Sequence, residues 1–207
     1  MTITQLKKII NDVEFNEDIE FIDRALRSLM IPQSSKVLDI GTGMGIMCSI
    51  LTLHGFWVTT GQPKDYEEDG HNLEEHNHQK DFYTGRKVKW QDVIKELAMT
   101  ERVDYKNLNI LDLPFEDDSY DLVFVYDVLQ HIDNIDKGIG ECLRVARKGN
   151  RIFFIELNEK GVSMLNKKYN GDLDFIDMTE RINSEEINLH IIRGELSNMY
   201  MLSEIIS

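Results

Sequence analysis

The sequence contains few cysteines and no long apolar run. Its two cysteines, Cys48 and Cys142, form no C-x-x-C pair in a chain of 207 residues, so a disulfide framework is not indicated. Both fall on the apolar sides of predicted helices, and we expect buried thiols in a reducing compartment. No stretch approaches the roughly 20 apolar residues of a membrane span, and the N-terminus lacks a signal-peptide pattern. These absences predict a cytoplasmic protein without a membrane partner.

Basic residues are also in short supply. The chain carries 37 acidic residues against 23 lysines and arginines, which gives a formal net charge of −14. A surface of this charge repels phosphate backbones, and the lysines and arginines are scattered rather than clustered. Nucleic acid is therefore not expected as a partner. The length suits one domain with a full hydrophobic core.

Apolar segments of strand length alternate with helical patterns, which is typical of an α/β protein with a parallel sheet. The predicted strands are 36–40, 56–60, 103–110, 122–126, 151–157, 190–193 and 198–202. In an N-terminal helical segment at 1–35, Asn16 is predicted to cap a helix that ends at Pro32. The pattern over 160–181 is weak, and Ser184, followed by two glutamates, predicts another helix N-terminus.

A polar segment at 63–89 separates the second strand from a helix predicted to begin near Trp90. Connections in α/β units are usually short, so we interpret this insertion as a lid over a ligand site, with a disordered insertion as the alternative. The segment contains His71, His76 and His78. Because they lie outside any predicted helix or strand that would fix ligand geometry, no metal site is expected.

The most informative motif is a glycine-rich turn after the first strand, Lys36-Val-Leu-Asp-Ile-Gly-Thr-Gly-Met-Gly45. Glycines let a backbone bend tightly and approach a ligand, because no Cβ intervenes. The dinucleotide fingerprint requires a glycine at position 46, where the chain has Ile46. Asp39, two positions before the first glycine of a G-x-G-x-G run, instead resembles motif I of the class I S-adenosylmethionine (SAM) dependent methyltransferases. An ordinary strand-to-helix turn is the alternative.

This resemblance implies a fold, a cofactor and a reaction. It implies one α/β domain over 1–207, with a C-terminal part at 158–207: a doubly wound, Rossmann-like, seven-stranded and mostly parallel sheet with helices on both faces and an antiparallel last strand. It implies methyl transfer from SAM to a small-molecule acceptor. In the family the loop holds the methionine part of SAM, and the aspartate holds the loop and the amino group. The corresponding positions here are Asp39, Gly41, Thr42, Gly43 and Gly45.

A second motif follows the third strand. Asn109-Ile-Leu-Asp-Leu-Pro-Phe115 is similar to the family's D-A-x-x-L-P-F stretch. The similarity implies that Asn109 accepts a hydrogen bond from the adenine amino group. It implies that Ile110 supplies a backbone N–H and an apolar wall.

The position after the second strand departs from the family. Gln62 stands where the family places an acid on the ribose hydroxyls, and a neutral amide makes a weaker hydrogen bond than a carboxylate. Asp65, Glu67 and Glu68 are alternative ribose ligands. The neutral residues at 62 and 109 favour a non-catalytic SAM-binding or partner-binding protein as one alternative function. An aminopropyl transferase of the same fold is another.

The segment after the fourth strand, Tyr126-Asp-Val-Leu-Gln-His131, resembles the family segment where SAM and the acceptor meet. The resemblance assigns Tyr126 to cofactor binding. Asp127 and His131 are four residues apart and are predicted to share one face of a helical turn. Because a histidine with a near-neutral pKa can take a proton from an acceptor, these two are the candidate catalytic residues. Purely structural roles for both are the alternative.

Overall fold

The chain forms one sheet flanked by helices. The computed structural model describes residues 2–64, 89–182 and 185–205. In these ranges the strands are β1 (Val37–Ile40), β2 (Val58–Gln62), β3 (Val103–Asn107), β4 (Tyr120–Tyr126), β5 (Ala146–Leu157), β6 (Ile187–Arg193) and β7 (Ser197–Glu204). The helices are α1 (Ile3–Ile10), α2 (Val13–Ser28), α3 (Ile46–Leu53), α4 (Trp90–Glu96), α5 (Ile135–Val145), α6 (Glu159–Tyr169) and α7 (Met178–Arg181). Short 3₁₀ turns span Thr100–Arg102 and Leu129–His131. None of the helices in these ranges has the length and apolar character that a membrane crossing requires.

The strands follow the order β3-β2-β1-β4-β5-β7-β6. β1 is parallel to β2 on one side and to β4 on the other, whereas β7 is antiparallel to both β5 and β6. The predicted seven-stranded, mostly parallel sheet with an antiparallel last strand is confirmed. Because the strand order reverses between β1 and β4, a crevice opens outside their carboxyl ends, and ligands bind at this position in such sheets.

Helices cover both faces of the sheet. Successive side chains of a strand point to opposite faces, so Val37 and Leu38 of β1 belong to different cores although both are buried. Helices α1, α2, α3 and α4 pack on one face, and α5 and α7 pack on the other. Burial on both faces explains why β4 is a continuous apolar run rather than an alternating pattern.

The second helix begins earlier than predicted. Asn11 ends α1 in a left-handed conformation, with φ of 52°, and α2 follows at once. Asp12 caps α2, since its carboxylate accepts hydrogen bonds from the backbone N–H groups of Glu14 (3.0 Å) and Phe15 (3.2 Å). The prediction of Asn16 as the cap is wrong, because Asp12 already satisfies the free N–H groups directly after the turn.

Strand boundaries also differ from the prediction, among them those of β2, β3 and β5. β2 reaches Gln62 rather than residue 60, because Gln62 still pairs with Asn107 of β3. β3 ends at Asn107, so 108–110 lies outside the sheet. β5 begins at Ala146 rather than at residue 151, because Ala146 pairs with Tyr120 before a register irregularity in the strand.

The C-terminal part contains helices that its weak pattern did not indicate. α6 and α7 occupy much of 160–181. Ser184 lies outside the described residues, and β6 begins at Ile187, so the predicted helix at this point is wrong. β6 lies at the edge of the sheet and has no fully buried side chain. An edge strand of this kind gives a weak apolar signal in sequence.

Candidate functional site

The loop between β1 and α3 lies where the strand order reverses. Gly41, Gly43 and Gly45 have φ values of 89°, 50° and 80°, which residues with a side chain rarely adopt. A Cβ on Gly41 would lie 2.3 Å from Val128 Cγ2, and one on Gly45 would lie 3.1 Å from Trp90 Cβ. A Cβ on Gly43 would have the Gly41 carbonyl oxygen as its nearest neighbour, at 3.9 Å. The outer glycines therefore permit close packing, whereas the middle glycine borders open space.

Hydrogen bonds join this glycine loop (41–45) to the end of β2. The backbone N–H groups of Gly41 and Thr42 donate to the carbonyl of Gly61, at 2.8 and 3.2 Å. The N–H of Gly43 donates to Gln62 Oε1 at 2.9 Å. The Gln62 side chain thus holds the glycine loop in place.

Asp39 supports the loop from beneath. Its side chain is fully buried, and Oδ2 accepts a hydrogen bond from Thr60 Oγ1 at 2.7 Å. Since that bond uses the Thr60 proton, the Thr42 hydroxyl donates to Thr60 Oγ1, at 2.8 Å. Asp39 Oδ1 is buried and has no hydrogen-bond partner within the described ranges. Burial raises the pKa of Asp39 to about 7, because a desolvated carboxylate is unfavourable.

A cleft of about 400 Å³ opens beside the glycine loop, at the carboxyl ends of β1, β2 and β4. The predicted site residues that line it are Gly41, Thr42, Gly43, Gln62, Asn109, Ile110, Tyr126, Asp127 and His131. Asp39 lies beneath the loop, and Gly45 packs against α4, so neither is on the cleft wall. The fold therefore brings together residues from both sides of the strand reversal.

Asn109 lies in a tight turn that follows β3. Its Oδ1 accepts a hydrogen bond from the Leu111 N–H at 2.9 Å, and its carbonyl accepts one from the Asp112 N–H at 3.0 Å. The turn fixes the direction of the side chain. An amide oxygen has two lone pairs, so Asn109 Oδ1 can accept one further hydrogen bond.

Asp127 follows β4 in a left-handed conformation, with φ of 55°. It therefore does not share a helical turn with His131, which corrects the prediction. Oδ1 accepts a hydrogen bond from Gln130 Nε2 at 2.5 Å, and burial raises the pKa of Asp127 to about 6. Behind it, Glu156 Oε1 accepts from the next two backbone N–H groups of the chain, at 3.3 and 3.1 Å. The pKa of Glu156 is raised well above its ordinary value, mainly by burial and to a smaller extent by the charge of Asp127.

Two residues of α2 that no sequence motif marked also belong to the site. Phe15 lines the cleft. Asp18 is 7% exposed, and its Oδ2 accepts hydrogen bonds from the hydroxyls of Tyr126 (3.0 Å) and Ser197 (2.9 Å). Burial raises the pKa of Asp18 to about 7. Both residues reach the site because α2 packs over the sheet, which short-range spacing does not reveal.

A side cavity of about 180 Å³ adjoins the cleft. Phe15, Tyr126, Asp127 and His131 line both spaces. The two candidate catalytic residues thus stand at the junction of the cleft and the side cavity.

Some predicted features fall in the undescribed part of the chain. Most of the segment at 63–89, which we interpret as a lid, lies outside the described residues. The same holds for the alternative ribose ligands and the three clustered histidines, which are Asp65, Glu67, Glu68, His71, His76 and His78. In the ranges that the structure does describe, no group of three His, Cys, Asp or Glu side chains is placed to hold a metal ion.

Comparison with known sequences identifies the family. The family model described as "Methyltransferase domain" matches residues 38–154, more than half of the chain. The demethylmenaquinone methyltransferase of Clavibacter sepedonicus is 35% identical over 75 residues, which are 36% of this chain and 31% of that protein. The chain thus spans less than a third of the length of the curated relatives that it matches first.

Solved structures share the fold at low sequence identity. A putative SAM-dependent methyltransferase from Methanococcus maripaludis has a TM-score of 0.66 and 12% identity, over 98% of this chain and 90% of that chain. Geranyl diphosphate C-methyltransferase from Streptomyces coelicolor, in complex with Mg²⁺, geranyl diphosphate and S-adenosylhomocysteine (SAH), has a TM-score of 0.61 and 14% identity, over 97% of this chain and 83% of that chain. Both agree with the predicted Rossmann-like α/β fold. Because the family model covers more than half of its residues, the chain belongs to the methyltransferase domain family, and its resemblance to class I SAM-dependent methyltransferases is confirmed.

Proposed function

We propose that this protein is an enzyme that transfers a methyl group from SAM to a small-molecule acceptor. The observation that carries the proposal is the open space beside Gly43, at the head of a cleft located where the strand order reverses. Membership of the methyltransferase domain family supports it independently.

The residues of the cleft fit SAM. Because Gly43 has no side chain, the space beside it stays open, and a Cβ at this position would enter that space. The loop therefore forms a cradle that the methionine part of SAM would occupy. Asn109 and Ile110 on the cleft wall would hold adenine, and Gln62 would approach the ribose. The amide oxygens of Gln62 and Asn109 each accept one backbone hydrogen bond within the protein, and each keeps a second lone pair for a ligand.

The residues at the junction have two tasks in such a reaction. Bound SAM supplies a methyl group on a positively charged sulfur, so the protein mainly has to align the acceptor and exclude water. Tyr126, Asp127 and His131 line both the cleft and the side cavity, so we assign them to the contact between cofactor and acceptor. With a pKa of about 6, the Asp127 carboxylate is mostly ionised near neutral pH and can take a proton from an acceptor. Glu156 is a positioning residue, because it binds the backbone that follows Asp127.

A non-catalytic SAM-binding protein is the second candidate. The observation in its favour is that Gln62 and Asn109 are neutral and already bonded to backbone groups. The two candidates differ in turnover. If SAM binds and no acceptor in a pool of small metabolites gains a methyl group from labelled SAM, the second candidate is correct.

Replacement of Gly43 tests the cofactor site. Valine would place a branched side chain in the cradle, so we expect Gly43→Val to weaken SAH binding by roughly tenfold or more in a calorimetric titration. Gly140 on α5 has no atom within 4 Å of an added Cβ, and Gly140→Val is the matched control, with wild-type affinity expected. Thermal melts show whether both variants fold. Wild-type affinity in a folded Gly43→Val protein would contradict the assignment of the loop.

We also propose a cytoplasmic location and a small-molecule rather than a nucleic-acid partner. The location is supported by Cys48 and Cys142, which are buried free thiols, as is common in reducing compartments. The choice of partner is supported by the formal charge of −14, which disfavours contact with phosphate backbones.

A further inference from the structure

The walls of the side cavity combine carboxylates with aromatic rings. The carboxylates are Asp12, Glu14, Asp18, Asp127 and Asp172. The rings are Phe15, Tyr126 and Tyr169, with His131 at the junction. Among the described residues that line this cavity there is no lysine or arginine. Its chemistry therefore favours a ligand that is positively charged and partly apolar.

One carboxylate oxygen of Asp18 is available to bind such a ligand. Its Oδ2 accepts hydrogen bonds from two neutral hydroxyls, whereas Oδ1 accepts none from any described residue. Neither Asp18 nor Asp127 forms an ion pair within the described part of the chain. A buried carboxylate without a cation is energetically costly. A cation bound between Asp18 and Asp127 would offset that cost.

One ammonium group, that of Lys168, is already bound at the rim of the cavity between a carboxylate and an aromatic ring. Lys168 Nζ contacts the Glu14 carboxylate and lies 4.7 Å from the centroid of the Tyr169 ring. A carboxylate together with the face of an aromatic ring is a favourable environment for an ammonium ion. Because Lys168 pairs with Glu14, the carboxylates of Asp18 and Asp127 remain for a second cation.

We propose that the acceptor is a small organic amine, bound as a cation in the side cavity by Asp18 and Asp127 beside the rings of Phe15 and Tyr126. This inference rests on the proposed function and names its substrate class. An anionic acceptor would meet like charges on these walls, and an uncharged acceptor would leave the carboxylates unpaired.

The reaction then balances as an N-methylation. The bound ammonium group gives one proton to the Asp127 carboxylate, which lies at the junction with the cleft. The freed lone pair on nitrogen forms a bond to the methyl carbon. The bond from that carbon to sulfur breaks, and sulfur keeps the electron pair and becomes neutral. The product is a methylated amine that carries the positive charge.

Matched probes test the charge preference directly. With SAH present at about pH 8, where both Asp18 and Asp127 are ionised, 2-phenylethylamine, 2-phenylethanol and phenylacetate are titrated into the full chain. We expect the amine to bind roughly tenfold or more tightly than the alcohol and the carboxylate not to bind. Asp18→Asn should lose most of the preference for the amine, because it removes the negative charge. Its amide oxygen can still accept hydrogen bonds from the hydroxyls of Tyr126 and Ser197, so we expect the fold to be retained. Asp174→Asn removes one charge from an exposed position outside the cavity and should behave as wild type.

The outcomes separate this inference from the proposed function. If SAH still binds and the amine and the alcohol bind equally, the amine proposal is overturned and the cofactor site is not affected. The same conclusion follows if SAH binds and neither probe binds. Retained amine preference in Asp18→Asn would also overturn it. Absence of SAH binding in the wild-type protein would overturn both the proposed function and this inference. Transfer of labelled methyl from SAM to amines in a metabolite pool, with none to alcohols or carboxylic acids, would support the amine proposal.

Discussion

At the scale of single residues, Gln62 and Asn109 determine how this site differs from the family pattern. Each is a neutral amide where the family has an acid, and each uses its oxygen to hold local backbone, Gln62 at the glycine loop and Asn109 within its own turn. A carboxylate at either position could form the same internal bond and would bind a ligand donor more strongly, because charge-assisted hydrogen bonds are the stronger ones. Both positions therefore suit substitution experiments that keep the internal bond intact.

Substitution of Asn109 tests its contact with adenine. Asn109→Ala removes the acceptor and should cost about 1–2 kcal/mol in SAH binding, whereas Asn109→Asp keeps the bond to the Leu111 N–H and should bind as tightly as wild type or more tightly. Calorimetric titration measures all three proteins. Asp112→Ala, in the same turn and absent from the cleft wall, is the control. Identical affinities in all the proteins would show that Asn109 does not contact the base.

Substitution of Asp39 tests the pKa of the buried carboxyl. The pKa is raised from 3.8 to about 7, so the folded protein holds this proton more tightly than the unfolded chain. The contribution of Asp39 to stability therefore falls as the pH rises between these two values. Asp39→Asn removes that titration while keeping an oxygen for the Thr60 hydroxyl.

Urea unfolding at several pH values measures the effect at position 39. We expect the stability of Asp39→Asn relative to wild type to improve from pH 5 to about pH 7 and then to level off, by a few kcal/mol in total. Thr52→Val, at another buried polar position away from the carboxyl, should show a constant difference from wild type. A constant difference for Asp39→Asn would mean that the carboxyl titrates normally.

Part of the site could be predicted from the sequence and part could not, for a physical reason. Gly41, Gly43, Asn109 and Asp127 all lie within three residues of a strand end, and parallel strands bring their carboxyl ends to one edge of the sheet. Asp18 approaches Tyr126 across more than a hundred residues of chain. That contact depends on how α2 packs against the sheet, and nothing in the local spacing of α2 encodes it.

At the scale of helices and strands, the buried centre of the sheet is the most predictable region. β1 is buried throughout and β4 is buried at all but one position, because both of their faces are covered, and a glycine turn marks the end of β1. The edge strand β6 and the helix α6 are half exposed, so their periodic patterns are weak. The predicted N-terminus of α2 is wrong because Asp and Asn are similarly favoured as N-caps, and the end of α1 decides between Asp12 and Asn16.

Arg144 of α5 anchors the segment that leads from the Asn109 turn into β4. Its guanidinium donates to the carbonyls of Leu113 (2.9 Å) and Phe115 (2.7 Å) and to Glu141 (2.7 and 2.8 Å). We expect Arg144→Ala to reduce the free energy of unfolding by about 1–3 kcal/mol. Arg144→Lys should recover only part of this, since lysine lacks the forked donors. Chemical denaturation measures both.

Lys137→Ala, at an exposed position on the same helix, is the control and should stay within about 0.5 kcal/mol of wild type. An Arg144→Ala protein as stable as wild type would contradict the anchoring role.

At the scale of the whole molecule, the strand reversal between β1 and β4 places two spaces side by side. The cleft is lined by the glycine loop and the Asn109 turn, and the side cavity is lined by α2, α6 and the end of β4. One sheet therefore borders both spaces, with Asp127 and His131 where they meet. A cofactor bound in the cleft requires contacts at three strand ends that lie far apart in sequence, and none at the β6 edge.

Hydrogen exchange of the full chain with and without SAH tests that requirement most directly. SAH should slow exchange in peptides that cover 39–45, 58–63 and 107–112, because these backbone segments border the cleft. Exchange in a peptide that covers β6, at the far edge of the sheet, should not change. The proposed cofactor site predicts protection at all three strand ends with an unaffected β6. Unchanged exchange at the glycine loop with saturating SAH, or protection confined to other regions, would contradict it.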